Sequence, residues 1–113
     1  MHLLLIWLLI DLGSFNASSP VQTEIVETTC SYEWDCVEAL SIAWCESYHS
    51  PSAFNGFDHG YFQINEYFWG ERVFGKRLWS KRYEIQSNSM MAYHIWEHSG
   101  SFKLWTCGRY PHK

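Results

Sequence analysis

Apolar residues recur at helical spacing through segment 35–47. They cover most faces of the helix that this spacing predicts, at Trp34, Val37, Ala39, Leu40, Ile42, Ala43, Trp44 and Tyr48. Asp35, with Glu38 three residues later, forms the pattern typical of a helix N-terminus, and Pro51 prevents the helix from continuing. A helix that is apolar on nearly all sides is usually buried, so the pattern predicts a central helix.

A second helical pattern covers residues 84–98. Its apolar face contains Ile85, Met91, Ala92, Ile95 and Trp96. Gly100 follows as a residue suited to a helix C-terminus. The basic segment 76–81 is interpreted as a short helix, and the apolar residues beyond it are expected to return to the core. These are Phe102, Leu104, Trp105 and Cys107.

Turn-forming residues separate the two helices. Segment 50–60 contains Pro51, the pair Asn55-Gly56, and Gly60, whereas segment 61–65 alternates enough for a short strand, so a small β-hairpin is predicted here. Segment 66–75 is aromatic and is interpreted as irregular. Residues 20–33 are mostly polar and are interpreted as an N-terminal arm or short linker. The predicted fold class is therefore α+β and mainly α, with a small hairpin and further helices around a central helix.

The N-terminus contains an apolar run at residues 3–10. This run is too short to span a bilayer and has the length of a signal-peptide core. We therefore predict a signal peptide over residues 1–19, with cleavage near 17–19, and place the main folded domain over 34–113. The alternative is an ordinary N-terminal core helix. A signal peptide implies a secreted protein that acts outside the cell or in the lumen of a digestive vacuole.

The four cysteines form an even set, which indicates disulfides in a secreted chain. On a helix over 35–47, Cys36 and Cys45 would lie about 13 Å apart, beyond the roughly 7 Å between Cα atoms that a disulfide allows. Two pairings remain. We prefer Cys45–Cys107 with Cys30–Cys36, in which the long bridge stabilises the fold by about 4 kcal/mol. The crossed pairing, Cys30–Cys45 with Cys36–Cys107, stays open.

The formal charge of the chain is −4 with its six histidines neutral. No cluster of Lys and Arg gives the footprint of a nucleic-acid-binding protein. Protonation of all six histidines would change the charge to +2, so the surface is expected to change sign below about pH 6. An anionic partner would then bind better in acid. We expect a monomer with no stable membrane insertion.

Two carboxylates, Glu46 and Asp58, flank the turn-rich segment. Glu46 falls in the last helical turn, beside the unsatisfied carbonyls at the negative end of the helix dipole, and Trp44 is expected to desolvate it. Both effects oppose ionisation and predict a raised pKa, as a general acid requires. Asp58 lies in a polar turn and is expected to stay ionised. Cleavage of a glycosidic bond uses such a pair.

Two motifs resemble the lysozyme superfamily, in particular animal-type lysozymes and small lysozyme-like transglycosylases. They are Cys-Glu-Ser at 45–47 and Asp-His-Gly-Tyr-Phe-Gln-Ile-Asn at 58–65. The resemblance runs from about Trp34 to Cys107. Trp-Thr-Cys at 105–107 is similar to the Trp-x-Cys ending of the transglycosylase-like members, whose cysteine is bonded to the one beside the catalytic Glu. The resemblance thus implies the pairing Cys45–Cys107.

The resemblance also implies roles for individual residues. Glu46 matches the general acid of the family and Asp58 its second carboxylate. Four further positions match the sugar-binding cleft, with an amide pair that shapes the N-acetyl sugar pocket and two aromatic walls. These substrate-binding residues are Gln63, Asn65, Phe68 and Trp69.

The implied activity is that of a bacteriolytic, antimicrobial lysozyme (a glycoside hydrolase of the muramidase type) that needs no cofactor. It would cleave the β-1,4 bond between N-acetylmuramic acid and N-acetylglucosamine in peptidoglycan. One alternative is a lytic transglycosylase that uses Glu46 alone, since the segment from Glu46 to Asp58 is shorter than in animal lysozymes. The other is a catalytically inactive glycan-binding protein on the same fold. Retention of both carboxylates favours an enzyme.

Two other chemistries compete for individual residues. The segment 94–98 fits the H-x-x-E-H zinc peptidase pattern, but a third ligand is not evident, and a polar helix face is the preferred interpretation. Cys45 with His49 or His59 could form a nucleophilic pair. The even cysteine count favours a disulfide instead, so neither a metal site nor a thiol nucleophile is predicted.

Overall fold

The computed structural model describes residues 20–109, so the predicted signal peptide and its cleavage site lie outside the described residues. Within this range the chain forms, in order, α1 (Pro20–Thr29), α2 (Cys36–Ser47), β1 (Asp58–His59), β2 (Ile64–Asn65), α3 (Gly70–Trp79), α4 (Ile85–Ser99) and α5 (Thr106–Arg109). The predicted mainly α, α+β fold is confirmed. None of the helices in the described part of the chain is long and apolar enough to cross a membrane.

Helix α2 begins and ends close to where the sequence predicts. The Asp35 side chain accepts a hydrogen bond of 2.9 Å from the N–H of Glu38, and Tyr48 terminates the helix in the left-handed conformation. The helix packs against α1 and α5. It is not buried all round, however, because Val37 and Trp44 are 43% and 39% exposed. The neighbouring helices therefore cover only part of its circumference.

The prediction of an N-terminal arm over 20–33 is wrong for most of that segment. Residues 20–29 form α1, which packs against α4 and α2. Its buried residues are Ile25, Val26 and Thr29, and the Thr29 hydroxyl lies 2.7 Å from that of Tyr61. The buried residues form a stripe only one or two residues wide along α1. The stability of this helix therefore comes from tertiary packing more than from a broad apolar face.

The predicted hairpin is present, with antiparallel pairs Asp58–Asn65 and His59–Ile64. Its second strand is shorter than the predicted 61–65, because residues 61–63 belong to the connecting turn. Gly60 in this turn has φ +80°, and a Cβ atom there would collide with the side chain of Asn88. The turn therefore needs glycine both for its backbone conformation and for its close approach to α4.

The segment after the hairpin is more regular than predicted. Residues 70–79 form α3, which is interrupted at Gly75 (φ +85°, ψ 160°), where the irregular segment 66–75 and the short helix 76–81 were expected to meet. Helix α4 agrees with its prediction and ends at Gly100, which has φ +78°. Beyond it, Phe102 and Trp105 are buried as expected, but Leu104 is 49% exposed.

The core between these helices is rich in aromatic rings. Trp34 is buried among five of them, with ring centroids 5.2 to 6.2 Å away, and these belong to Tyr32, Phe62, Tyr93, Trp96 and Phe102. The preferred disulfide pairing is confirmed. Cys30–Cys36 and Cys45–Cys107 join Cα atoms 4.9 and 6.1 Å apart. The second bridge connects the end of α2 to α5.

Candidate active site

One cleft of about 460 Å³ brings together all six residues that the sequence predicts for the site, Glu46, Asp58, Gln63, Asn65, Phe68 and Trp69. The other lining residues are Ile64, Ile95, Leu104, Trp105, Thr106 and Arg109. The cleft therefore lies between the end of α2, the hairpin, α4 and the C-terminal segment. A wider groove of about 790 Å³ involves α1 and α4 but contains none of the predicted site residues.

Glu46 is half-buried and is the next-to-last residue of α2. Its Oε2 accepts a hydrogen bond of 3.1 Å from the backbone N–H of Cys107. The neighbouring Cys45 is covalently bonded to the same Cys107. A main-chain donor and a disulfide thus hold the carboxyl group against α5, which limits the positions that it can adopt in the cleft.

A buried contact fixes the end of α2 relative to the hairpin. The hydroxyl of Ser47 lies 2.7 Å from the carbonyl oxygen of Tyr61 and 3.1 Å from that of Ala43. Trp105 adds a further connection, since its indole N–H donates a 2.7 Å hydrogen bond to the carbonyl of Phe62. The connecting turn of the hairpin is therefore joined both to the helix that carries Glu46 and to the C-terminal segment.

Asp58 is held from two sides by side-chain amides. Its Oδ1 accepts a hydrogen bond of 2.9 Å from Asn65, and its Oδ2 accepts one of 3.0 Å from Asn55. The Asn55 side-chain oxygen in turn accepts from the backbone N–H groups of Phe57 and Asp58. The carboxylate therefore has a defined orientation on β1. The sequence predicts a polar turn at this position, whereas Asp58 lies in the first strand of the hairpin, paired with Asn65. Asn55 is a supporting residue that the sequence interpretation did not assign to the site.

The amide pair Gln63 and Asn65 contributes to the shape of the cleft through internal hydrogen bonds. The Gln63 NH₂ group donates to the carbonyls of Ala53 and Gly60, at 3.1 and 2.9 Å. Asn65 donates to Asp58, and its side-chain oxygen accepts from the N–H of Phe68. The NH₂ groups of both side chains therefore donate hydrogen bonds that stabilise the hairpin.

The two predicted aromatic walls differ in their surroundings. Phe68 is 63% exposed, so its ring is accessible for stacking on a ligand. Trp69 is partly buried, with its ring stacked on Phe74 at 6.4 Å and meeting His98 edge-on at 6.0 Å. Trp69 is therefore the rigid wall of the cleft and Phe68 the accessible one.

Asn88 supports the site from α4 and was missed in the sequence interpretation. It is fully buried. Its Oδ1 accepts from the N–H of Phe62 at 2.7 Å, and its NH₂ group donates to the carbonyls of His59 and Arg82 at 2.9 and 2.8 Å. The sequence did contain a signal for this role, namely an asparagine among apolar residues on the buried face of the predicted helix. A buried polar side chain needs hydrogen-bond partners.

His59 connects the hairpin to Glu66 and Tyr83. Its Nε2 lies 2.7 Å from the carboxylate of Glu66 and its Nδ1 lies 2.5 Å from the hydroxyl of Tyr83. The nucleophilic pairing of Cys45 with this histidine or with His49 does not occur, since Cys45 is in a disulfide.

The zinc pattern at 94–98 lies on α4, where the ring of His94 meets Phe74 edge-on and that of His98 meets Trp69. Among the residues that the structure describes, no three His, Cys, Asp or Glu side chains are close enough to hold a metal ion.

Gly108 allows α5 to approach Phe102 closely, and replacing it by alanine is expected to displace α5. A Cβ atom at this position would overlap the main-chain carbonyl of Phe102. Overpacking of this kind costs about 1–3 kcal/mol, and a displacement of about 1 Å at a catalytic group can lower activity roughly a hundredfold. For the glycan cleavage that the resemblance implies, we expect Gly108→Ala to reduce the rate at least tenfold in an assay with soluble peptidoglycan fragments.

Gly75→Ala is the matched control for Gly108→Ala, since nothing lies within 4 Å of the added methyl group. It should lose some stability because Gly75 has φ +85°, but it should keep its activity. Equal activity of the Gly108 variant and the wild type would show that the position of α5 does not matter for the site.

His49 follows the helix that carries Glu46, and its ring lies between Trp44 and Tyr61. Burial lowers the pKa of His49 from 6.5 to about 4. His49 therefore stays neutral in the folded protein at mildly acidic pH. The charge reversal expected from all six histidines near pH 6 does not include it.

The lowered pKa of His49 predicts a loss of stability in acid. Below pH 6.5 the unfolded chain takes up a proton at His49 and the folded chain does not, so the free energy of unfolding falls as the pH decreases from about 6.5 to about 4. Residual contact with solvent reduces this contribution to about 1–2 kcal/mol. His49→Phe cannot titrate at this position. In this variant the difference between the free energies of unfolding at pH 7 and pH 4, measured by urea unfolding, should be smaller than in the wild type by this amount. An unchanged difference would contradict the prediction.

A sequence profile of the lysozyme-like domain family matches residues 26–107. No curated protein and no solved structure matches the chain. The matched region begins inside α1, ends at the cysteine bonded to Cys45, and includes well over half of the 113 residues. It contains every predicted residue of the cleft. The chain therefore belongs to the lysozyme-like domain family, a family of glycan-cleaving proteins.

Proposed function

We propose that the protein is a glycoside hydrolase that cleaves the β-1,4 bond between N-acetylmuramic acid and N-acetylglucosamine in peptidoglycan. The observation that carries the proposal is the presence of Glu46 and Asp58 in one cleft, each oriented by hydrogen bonds. The accessible ring of Phe68 in the same cleft supports a sugar ligand, since sugar rings stack on exposed aromatic faces. We further propose that the protein is secreted and acts on bacterial walls.

In the proposed reaction Glu46 donates its proton to the oxygen that leaves the glycosidic bond. Asp58 then stabilises or captures the positive charge that develops on the sugar. A water molecule completes the hydrolysis and returns a proton to Glu46. The chemistry needs only two carboxyl groups and water. The hydrogen bonds of Asp58 to Asn55 and Asn65 support its role, because they hold the carboxylate in one orientation as charge develops nearby.

A lytic transglycosylase is the second candidate, and the same contacts give it support. Both oxygens of Asp58 already accept hydrogen bonds from Asn55 and Asn65, so this carboxylate could be a structural part of the hairpin. Glu46 would then act first as acid and afterwards as base. The C6 hydroxyl of the muramic acid would close onto its own C1 in place of water, which gives a 1,6-anhydro product.

The ends of the product separate these functions. Mature protein is incubated with purified peptidoglycan, and the released fragments are identified by mass spectrometry. Reducing ends would establish hydrolysis, and 1,6-anhydro ends would establish the transglycosylase. Intact glycan under conditions where the protein binds it would leave a catalytically inactive binding protein and overturn the proposal.

A further inference from the structure

The charged residues that line the cleft are of opposite sign. Glu46 and Asp58 are acidic, and Arg109 is basic. Arg109 is exposed, and its guanidinium lies 3.3 Å from the hydroxyl of Thr106. Within residues 20–109 it takes part in no salt bridge. Its charge is therefore not used to neutralise a carboxylate in the described part of the protein, although two carboxylates line the same cleft.

The base of this side chain is firmly placed. Arg109 follows Cys107 by two residues on α5, and the Cys107 backbone donates to Glu46 while its sulfur is bonded to Cys45. The N–H of Arg109 also donates to the carbonyl of Trp105, a buried residue. The guanidinium is thus attached to the same short helix that orients the candidate acid, and Arg109 lines the cleft together with the hairpin residues.

The carboxylate of Asp58 in this cleft disfavours an anionic ligand unless a cation compensates. A neutral polymer of N-acetylglucosamine gains little from a guanidinium, whereas a glycan with carboxylate substituents gains a charge-assisted and often bidentate contact. We propose that Arg109 binds a carboxylate of the substrate and selects acidic glycans over neutral ones. This inference rests on the proposed function, since it assigns the substrate class of the same cleft.

Binding in a catalytically disabled background tests the inference. Glu46→Gln protein is titrated with soluble glycan strands that carry free carboxylates and with the same strands after amidation of those groups. The measurement is repeated for Glu46→Gln/Arg109→Gln. Glu46→Gln/Lys103→Gln is the matched control, because Lys103 is an exposed residue on the same C-terminal segment that does not line the cleft. The control loses the same charge from the protein.

We expect the loss of Arg109 to weaken binding of the carboxylated strands about tenfold or more, the size of one charge-assisted contact. Binding of the amidated strands should change less than about twofold, and the Lys103 control should bind both ligands as its parent does. Equal weakening for both ligands, or no preference of the parent for carboxylated strands, would overturn the inference.

Failure of the proposed function gives a different result. In that case wild-type protein leaves the glycan intact, while the carboxylate preference and its dependence on Arg109 remain measurable in the binding assay.

Discussion

Replacing Glu46 by glutamine is expected to lower the rate of glycan cleavage about a thousandfold, the range that general acid catalysis contributes. The substitution is almost isosteric and removes only the proton that can be transferred. The amide oxygen can still accept the hydrogen bond from the N–H of Cys107, so the position of the side chain should be preserved. The rate is measured from the release of new sugar ends, and binding of the glycan is measured separately by titration.

The prediction for Glu46 requires the rate of cleavage to fall while the affinity for the glycan stays within a few-fold of the wild-type value. Glu38→Gln is the matched control. Glu38 is an exposed residue in the first turn of the same helix, so its substitution removes the same charge from α2 without reaching the cleft. A Glu46→Gln variant that keeps a tenth or more of the wild-type rate would exclude this residue as the acid.

Replacing Asn88 by alanine is expected to lower the free energy of unfolding by about 3–5 kcal/mol. The substitution removes three hydrogen bonds, two of them buried and one partly buried, and leaves backbone groups of His59, Phe62 and Arg82 without these partners, at about 1–3 kcal/mol for each unsatisfied buried group. This is a large part of the 5–15 kcal/mol typical of a folded domain. The hairpin would lose its attachment to α4, so activity should fall as well. Urea unfolding monitored by tryptophan fluorescence provides the measurement.

Two variants on α4 make the Asn88 result specific. Gln86 is exposed on the same helix, and Gln86→Ala should change stability by less than about 0.5 kcal/mol. Asn88→Asp keeps an acceptor for the N–H of Phe62 but directs a carboxylate at two carbonyl oxygens, so it should also be strongly destabilised. A loss below about 1 kcal/mol for Asn88→Ala would show that water replaces the missing amide without difficulty.

The elements that could be predicted from the sequence are those with local signals. Helix α2 has a capping aspartate and a dense apolar pattern, and α4 has a clear face and a terminal glycine. Helix α1 could not be found in this way, because its narrow apolar stripe is stabilised by contacts with distant residues such as Tyr61. Helix α3 was obscured by Gly75, which breaks the helical pattern in the middle.

Half of the residues that line the cleft, including both carboxylates, were predicted from the sequence, but the internal hydrogen bonds of the cleft were not. Glu46 and Asp58 were identified from their positions on either side of a turn, and they do line one cleft. The contact of Glu46 with the N–H of Cys107 joins residues 61 positions apart, and no local pattern encodes such a contact. For the same reason, the roles of Gly108 and Arg109 could be inferred only from the structure, in which α5 packs against α2.

The Cys45–Cys107 bridge has a consequence for the way the molecule responds to proteolysis. The bridge closes a covalent ring between two cysteines 62 positions apart, and Asp58 together with the whole hairpin lies inside that ring. The exposed residues 54–57 are also within it and offer a protease an accessible backbone. A single cut there would open the ring without releasing either fragment, since both remain linked through sulfur. The nicked molecule would have an unchanged mass apart from one added water, and it would separate into two chains only after reduction.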